Sequence, residues 1–584
     1  MTRSTASRPS TVRSPAAVWH APPEPDPRAV RTLQAALRLP EPVCRVLAVR
    51  GLSDPEAAKR FLRPRLEHLH DPALLADGPR AAERIAEAVR AGEVILVHGD
   101  YDVDGICATA LLTRWLRGLG GRVVPFVPHR LRDGYDFSEA GLEAARHADA
   151  TLILTADCGT VAHDTVAAAA REGRDVVVTD HHTVGEAPSP AYAVVNPKRP
   201  DCPYPDEGLS GTGLAYRVCE LVGRALDEDL EPLARYLDLV ALATVADLVP
   251  LSGENRVLVA YGLKRMARTT LPGLAALLDA SGTAADELTA GKLGFVVAPR
   301  INAAGRIGDA DDALRLLLTD EPEEARALAT ALEEINRDRR LEDRRTEEEA
   351  FAELEQTYDP DRDYAVVLAA DGWHPGIIGI VASRVVERIH RPVVMVALDG
   401  ARGRGSARSV PGFHLYEALK ACSEHLERFG GHRQAAGMDV LRDRVPALRE
   451  ALNAEARARM EENDLRPALR PDLALDPASV DLELVHWLTY LGPHGIGNPG
   501  PLFRTDGVRL EGSREVGHGH LKTVLTRDET RVEAIGFGLF ARCPSETLAA
   551  DGHDVLYRLE KNEWRGRATA QAKLVDVRPA GAST

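Results

Sequence analysis

His98-Gly-Asp-Tyr-Asp-Val-Asp-Gly105 decides how this chain folds. The stretch follows the β-favouring run 93–97 and leads straight into residues 106–116, ICATALLTRWL, which read as a helix. Two more runs repeat the pattern: Thr155-Ala-Asp-Cys-Gly159 after residues 151–154, and Thr179-Asp-His-His182 after residues 175–178. Strands that end abruptly in carboxylates and imidazoles place ligands at the C-terminal edge of a parallel sheet, where open α/β sheets bind them. Asp100, Asp102 and Asp104 sit at i, i+2 and i+4, so an extended segment projects all three to one face. So many acids at one edge repel one another unless a cation holds them.

The ligand types narrow the cation. An EF-hand loop starting at Asp100 needs Glu at its twelfth position, and that position is Leu111, inside the apolar helix. Carboxylates with imidazole and no thiolate favour Mn²⁺, allow Mg²⁺ and disfavour Zn²⁺. Four or more Asp with a His can hold two ions, and such a pair clamps the attacking and leaving oxygens of a phosphoryl displacement.

Strand–helix alternation from residue 93 to 179 predicts a parallel, doubly wound sheet. Helices then dominate residues 212–318, including residues 233–248. Residues 321–358 are charged and almost devoid of Gly and Pro, which predicts a connecting helix. A second α/β pattern follows, and beyond about residue 467 short strands and turns predict a small β-barrel of the OB-fold kind. The expected organisation is α/β throughout the first two bodies: a flexible N-terminal tail at 1–40, a catalytic parallel-sheet domain at 41–320, the helix at 321–358, a smaller α/β domain at 359–462 and the barrel at 463–584.

The seven cysteines form no CxxC pair, which argues against structural zinc or a disulfide framework and predicts a reducing, cytoplasmic setting. No apolar run reaches the ~20 residues that span a bilayer, so no membrane association is expected. A net charge of −16 taken as a whole argues against a nucleic-acid partner. Half of that excess lies between Asp320 and Glu355, with 14 acidic against 6 basic residues, whereas residues 361–460 carry 15 basic against 12 acidic. Local charge still allows DNA, and ions supply positive charge at a phosphate site.

The chain resembles the DHH phosphoesterases, and within them the RecJ single-strand DNA exonucleases, from about residue 40 to 570. The resemblance rests on HGDYDVDGICATALL, TADCG, DHH, Ala243–Pro250 (ATVADLVP), Asn302–Ile307 (NAAGRI), Trp373–Gly379 (WHPGIIG), Gly403–Ser409 (GRGSARS) and Phe429–Gly437 (FGGHRQAAG). It implies a DHH domain joined by the long helix to a DHHA1 domain, plus the OB-fold. It implies one ion on Asp102 and Asp157 with His98 in reach, and a second on Asp104, Asp157, His181 and Asp247, with Asp157 as the bridge. His182 would face the scissile phosphate, Asp180 would orient a neighbouring imidazole, and Asp100 would stand behind the ligands. The implied activity is degradation of single-stranded DNA from the 5′ end to 5′ mononucleotides in repair and recombination, with two Mn²⁺ ions or Mg²⁺. A monomer is expected, with a single-strand-binding protein and a helicase as further partners. The competing readings are a two-lobed DHH enzyme acting on short oligonucleotides or cyclic dinucleotides, and a scaffold that only binds.

Substrate contacts are expected from the second lobe. Gly403–Ser409 reads as a flexible loop on which Ser406, Arg408 and Ser409 grip phosphate. Gly431 and His432 combine close backbone approach with an imidazole, and Trp373 and His374 offer a ring on which a base could stack. Arg130 and Arg306 are candidates for a 5′-phosphate pocket.

Overall fold

The computed structural model describes residues 12, 14–130, 132–134, 136–185 and 187–582. They divide into two compact units, one comprising 22–336 with 471 onward, the other 337–470 with the residues before 22.

The larger unit is built on a five-stranded sheet whose neighbouring strands all run parallel, in the order Arg122–Phe126, Val94–Gly99, Leu152–Ala156, Asp175–Thr179, Ala193–Val195. This is the 2-1-3-4-5 doubly wound order, whose switch point falls between the first and third strands. His98 pairs with Thr155 and Gly99 with Ala156, so the first two acidic runs leave the sheet side by side at that point. The helix Val103–Gly118 lies almost wholly buried against helices Gly211–Ala225 and Leu237–Ala246. It starts earlier than the apolar run suggests, because Asp102 caps it by accepting from the backbone N–H groups of Asp104 (2.9 Å) and Gly105 (3.1 Å). The three acids of the first run therefore do not share an extended segment.

The C-terminal part of this unit is a closed five-stranded barrel. Strands Phe503–Val516, His520–Arg527, Thr530–Gly536, Arg567–Pro579 and His553–Trp564 pair in that order, and the last returns to the first. Its core is shared with the N-terminal helices Pro27–Leu37, Glu41–Val49 and Pro55–Leu62, whose Val30, Leu33, Val43, Val46 and Leu47 pack with Phe503, Leu521, Val555 and Tyr557. The expectation of a flexible tail at 1–40 thus fails for residues 27–37, an amphipathic helix with a barrel to bury against; residues 1–11 and 13 lie outside the described residues. Arg256, 3% exposed, fastens the barrel's lead-in loop to the rest of the unit. It donates to the carbonyls of Phe61 (2.9 Å), Tyr490 (3.1 Å), Leu491 (3.1 Å) and Gly492 (2.6 Å) and lies over the Phe61 ring.

A 36-residue helix, Pro322–Thr357, runs from the larger unit into the smaller. The smaller unit has a mixed five-stranded sheet in the order Arg428–Gly431, Ala435–Leu441, Arg402–Arg408, Val393–Asp399, Val366–Asp371. The expected flexible loop at 403–409 is instead the strand Arg402–Arg408, hydrogen-bonded on both sides. Alternate glycines and Ala407 let it pack closely in the middle of the sheet.

Candidate metal centre

The acidic and histidine groups meet at the carboxyl edge of the parallel sheet. Asp157 follows the third strand in a left-handed backbone conformation (φ 65°), which turns its side chain into the cluster. A Cβ on Gly211 would collide with its carboxylate, so this close approach depends on glycine. The N-terminus of helix Gly211–Ala225 holds Asp104, whose two oxygens accept from the N–H groups of Gly211 and Thr212, each at 2.7 Å. Asp247 arrives from the C-cap of helix Leu237–Ala246. His181 Nε2 stands in the middle, 3.1 Å from Asp157, 3.5 Å from Asp247 and 3.8 Å from Asp104.

Two triads could each hold an ion, Asp104–His181–Asp247 and Asp157–His181–His182, with the ligand atoms of each within 4.8 Å of one another. Asp157 Oδ1 and both ring nitrogens of His181 are buried and make no hydrogen bond. Buried polar atoms are normally satisfied, so their state here fits a cation. Electrostatics agree. Burial, then the charges of Asp104, Asp102 and Asp247, hold the Asp157 carboxyl well above the usual range. Burial and the same neighbours push Asp247 up to about 9 and raise Asp100 and Asp102 as well. Four acids that resist ionising together are a site shaped for positive charge.

The remaining nominees separate. Asp180 lies 2.7 Å from His182 Nδ1 and accepts from the N–H groups of Thr160 and His182 (3.0 Å each). Burial opposes both charges, but the pairing wins: Asp180 falls well below the carboxylate range and His182 rises to about 9. The imidazole that Asp180 orients is therefore His182. Asp100, Asp102, Asp104, His182 and Asp247 line one cavity of about 270 Å³, and Arg130 and Arg306 line it too. His98 does not. It is fully buried between Phe126 and Phe137, its Nδ1 faces Cys158 Sγ at 3.6 Å, and burial drops it to about 4. The reach of His98 to an ion, expected from the motif, is not realised, because the ring turns under the sheet edge towards Gly141.

Sequence reasoning missed three contributors. Tyr101 places its ring beneath Arg130 (5.2 Å) and lines the cavity, Asn302 accepts from the Val103 N–H (3.3 Å), and Gly211-Thr212 cradles Asp104. Tyr101 and Asn302 lie within the 98–105 and 302–307 motifs, whereas Gly211-Thr212 carries no sequence signal of its own.

In the smaller unit, Ser406 and Arg408 come together, with the Arg408 guanidinium 3.2 Å from Ser406 Oγ. A Cβ on Gly379 would stand 2.8 Å from that oxygen and 2.9 Å from the guanidinium, so Gly379 makes room for both. Gly431 and His432 are exposed at the end of the edge strand Arg428–Gly431, one strand removed from Arg402–Arg408. Ser409 is turned inward, its hydroxyl 3.1 Å from the Phe413 carbonyl, and cannot grip phosphate from there. Trp373 is 4% exposed and donates through Nε1 to Glu349 at 2.7 Å, which makes it a core residue and not a stacking platform. His374 Nδ1 accepts from the Gly376 N–H (3.0 Å) within its own turn.

A parallel sheet with an Asp/His cluster at its switch point, followed by a second α/β body and a barrel, defines a DHH-class protein. The DHH family N-terminal domain matches residues 94–244, the DHHA1 domain 362–458 and the RecJ OB domain 471–576. The single-stranded-DNA-specific exonuclease RecJ of Bacillus subtilis is 34% identical over 557 residues, 95% of this chain and 70% of that protein. Crystal structures of Thermus thermophilus RecJ superpose over 97% of this chain: the Mn²⁺ complex with a TM-score of 0.84 (33% identity, 80% of that chain), the Mg²⁺ complex with 0.78 (32%, 79%). The chain belongs to the RecJ family.

Proposed function

We propose that this protein is a Mn²⁺- or Mg²⁺-dependent exonuclease that degrades single-stranded DNA from the 5′ end to 5′ mononucleotides, in repair and recombination. The carrying observation is the cluster of Asp104, Asp157, His181 and Asp247 with buried, unsatisfied ligand atoms at its centre. In it, divalent cations would supply Lewis-acid charge to a phosphoryl oxygen and lower the pKa of water. Asp104, Asp157, His181 and Asp247 would hold them, with Asp102 presenting its carboxylate from the same cavity.

The chain's own groups then divide the work. Asp180 holds the His182 ring through Nδ1, so Nε2 is the atom that would donate to a phosphate oxygen or to the departing 3′ oxygen. Arg130 and Arg306 supply guanidiniums for a 5′-terminal phosphate in the same cavity. Ser406, Arg408, Gly431 and His432 of the smaller unit are proposed as further backbone contacts. The barrel, a fold that often binds single strands, extends the grip. Single-strand-binding protein and a helicase are proposed as partners, the active form as a monomer, and the cytoplasm as its location, in keeping with seven free cysteines.

Digestion of 5′- and 3′-labelled single strands and duplexes, with and without Mn²⁺, tests the reading. With the metal, immediate release of the 5′ label as mononucleotide from single strands is expected, with the 3′ label released only as the strand is consumed and no release from duplexes or without the metal. Cleavage confined to dinucleotides or cyclic dinucleotides would instead assign the small-substrate phosphoesterase activity.

A further inference from the structure

Phe295 is 87% exposed, an unusual state for a large apolar ring. Its exposure is built into the backbone. Residues 293–297 form a π-helical turn inside the helical run 290–307, and such turns recur at functional sites because the extra residue re-aims side chains. Leu293 and Val297, at either end of the turn, are fully buried, so the turn is anchored while Phe295 points outward.

The position is continuous with the metal centre. A Cβ on neighbouring Gly294 would stand 3.3 Å from Val245, two residues before Asp247. The same helical run carries Asn302, Gly305 and Arg306 into the cavity that Asp247 lines. Eleven residues at a 1.5 Å rise put Phe295 about 16 Å along the axis from Arg306. Leu248, directly after Asp247, adds a second apolar group, 66% exposed and left-handed in backbone (φ 60°). Leu293 and Val297 beside it are buried and Val296 is half-buried, so among the described residues of this stretch Phe295 alone stands fully open, too little apolar surface for a protein-docking patch. An exposed ring on the helical run that carries Asn302 and Arg306 into the cavity suits a nucleobase.

We infer that Phe295, with Leu248 beside the metal centre, is a stacking platform for an unpaired base of the strand whose 5′ end occupies the Arg130/Arg306 cavity. This rests on the proposed function and adds a positional element to it. Stacking reads no sequence and cannot accept a paired base, so the platform would favour single strands of any composition. A dinucleotide, about 7 Å long at a stacked 3.4 Å rise, is too short to reach it.

The test uses the full-length chain in EDTA with a fluorescent 5′-phosphorylated dT12. Phe295→Ala is expected to weaken binding by roughly 5- to 150-fold, the loss that removing one stacked base produces. Its Mn²⁺-dependent cleavage of the dinucleotide pTpT should match that of the parent. Phe295→Trp should retain affinity, and its indole fluorescence should be quenched by dT12. Unchanged dT12 affinity in Phe295→Ala, or an equal loss on pTpT, overturns the inference. So does a dimer of the parent that Phe295→Ala dissociates, because the ring then serves a second copy of the chain. A parent protein without Mn²⁺-dependent cleavage of single strands would count against the proposed function; normal parental cleavage with an indifferent Phe295→Ala counts only against the platform.

Discussion

Arg256 joins the barrel to the catalytic sheet's helices, and its removal should cost more than any surface substitution. The side chain is 3% exposed and serves four carbonyls, those of Phe61, Tyr490, Leu491 and Gly492. Burial lowers its pKa only to about 10, so it stays charged at neutral pH. Each carbonyl left unpaired costs about 1–3 kcal/mol, though water reaching some of them and non-additivity reduce the total. The contact with the Phe61 ring at 3.7 Å contributes a further ~0.5–2 kcal/mol. Arg256→Ala is therefore expected to destabilise the larger unit by about 4 kcal/mol, read from urea unfolding with both tryptophan fluorescence and far-UV circular dichroism. Arg256→Lys should recover less than half, since an ammonium lacks the planar fork that reaches several acceptors. A loss below about 1 kcal/mol in Arg256→Ala would refute the reasoning, because it would mean the loop at 490–492 is held by other contacts. A companion readout is DNA length: a loosened barrel should impair cleavage of long strands more than of short ones.

Asp157→Ala should abolish Mn²⁺-dependent hydrolysis and weaken Mn²⁺ binding in calorimetry by more than the ~10–100-fold typical of an outer-shell partner; near-parental binding would remove Asp157 from the centre. Asp180→Asn preserves shape but removes the carboxylate that holds His182 through Nδ1, so kcat should fall about 10²–10⁴-fold with metal affinity and circular dichroism little changed; parental kcat would end the proposed role of His182 as a proton donor. Asp238, raised by burial from 3.8 to about 6, makes the fold pH-sensitive away from the metal centre. Between pH 4 and 6 the unfolded chain has released this proton while the folded chain retains it, so stability falls as pH rises through that window, by up to about 3 kcal/mol. Asp238→Asn should flatten this slope in urea titrations at pH 4 and pH 7.5; an unaltered slope would show that another group carries it.

Much of the site was legible because its ligands are local in sequence. The run from His98 to Gly105 names three acids, and the strand–acid pattern at 155–159 and 179–182 places the others on neighbouring strands of one edge. Asp247 was reachable only by resemblance, since it follows an apolar helix with no local sign of metal chemistry. Side-chain direction was not legible. His98 and Asp102 stand four residues apart in one motif, yet one ring is sealed behind the sheet and the other residue caps a helix. Trp373 and Ser409 failed for the same reason: each type suits a ligand, but packing turned both inward.

The sequence by itself determined the parallel sheet, the order of its elements and the chemistry at its edge, because strand periodicity, turns and acidic residues act over a few neighbouring positions. Tertiary structure alone decided that residues 27–62 complete the barrel's core, that Asp104 rests on the N-terminus of helix Gly211–Ala225, and that Phe295 points into solvent. Those outcomes depend on contacts between segments far apart in the chain, whose partners no local pattern encodes.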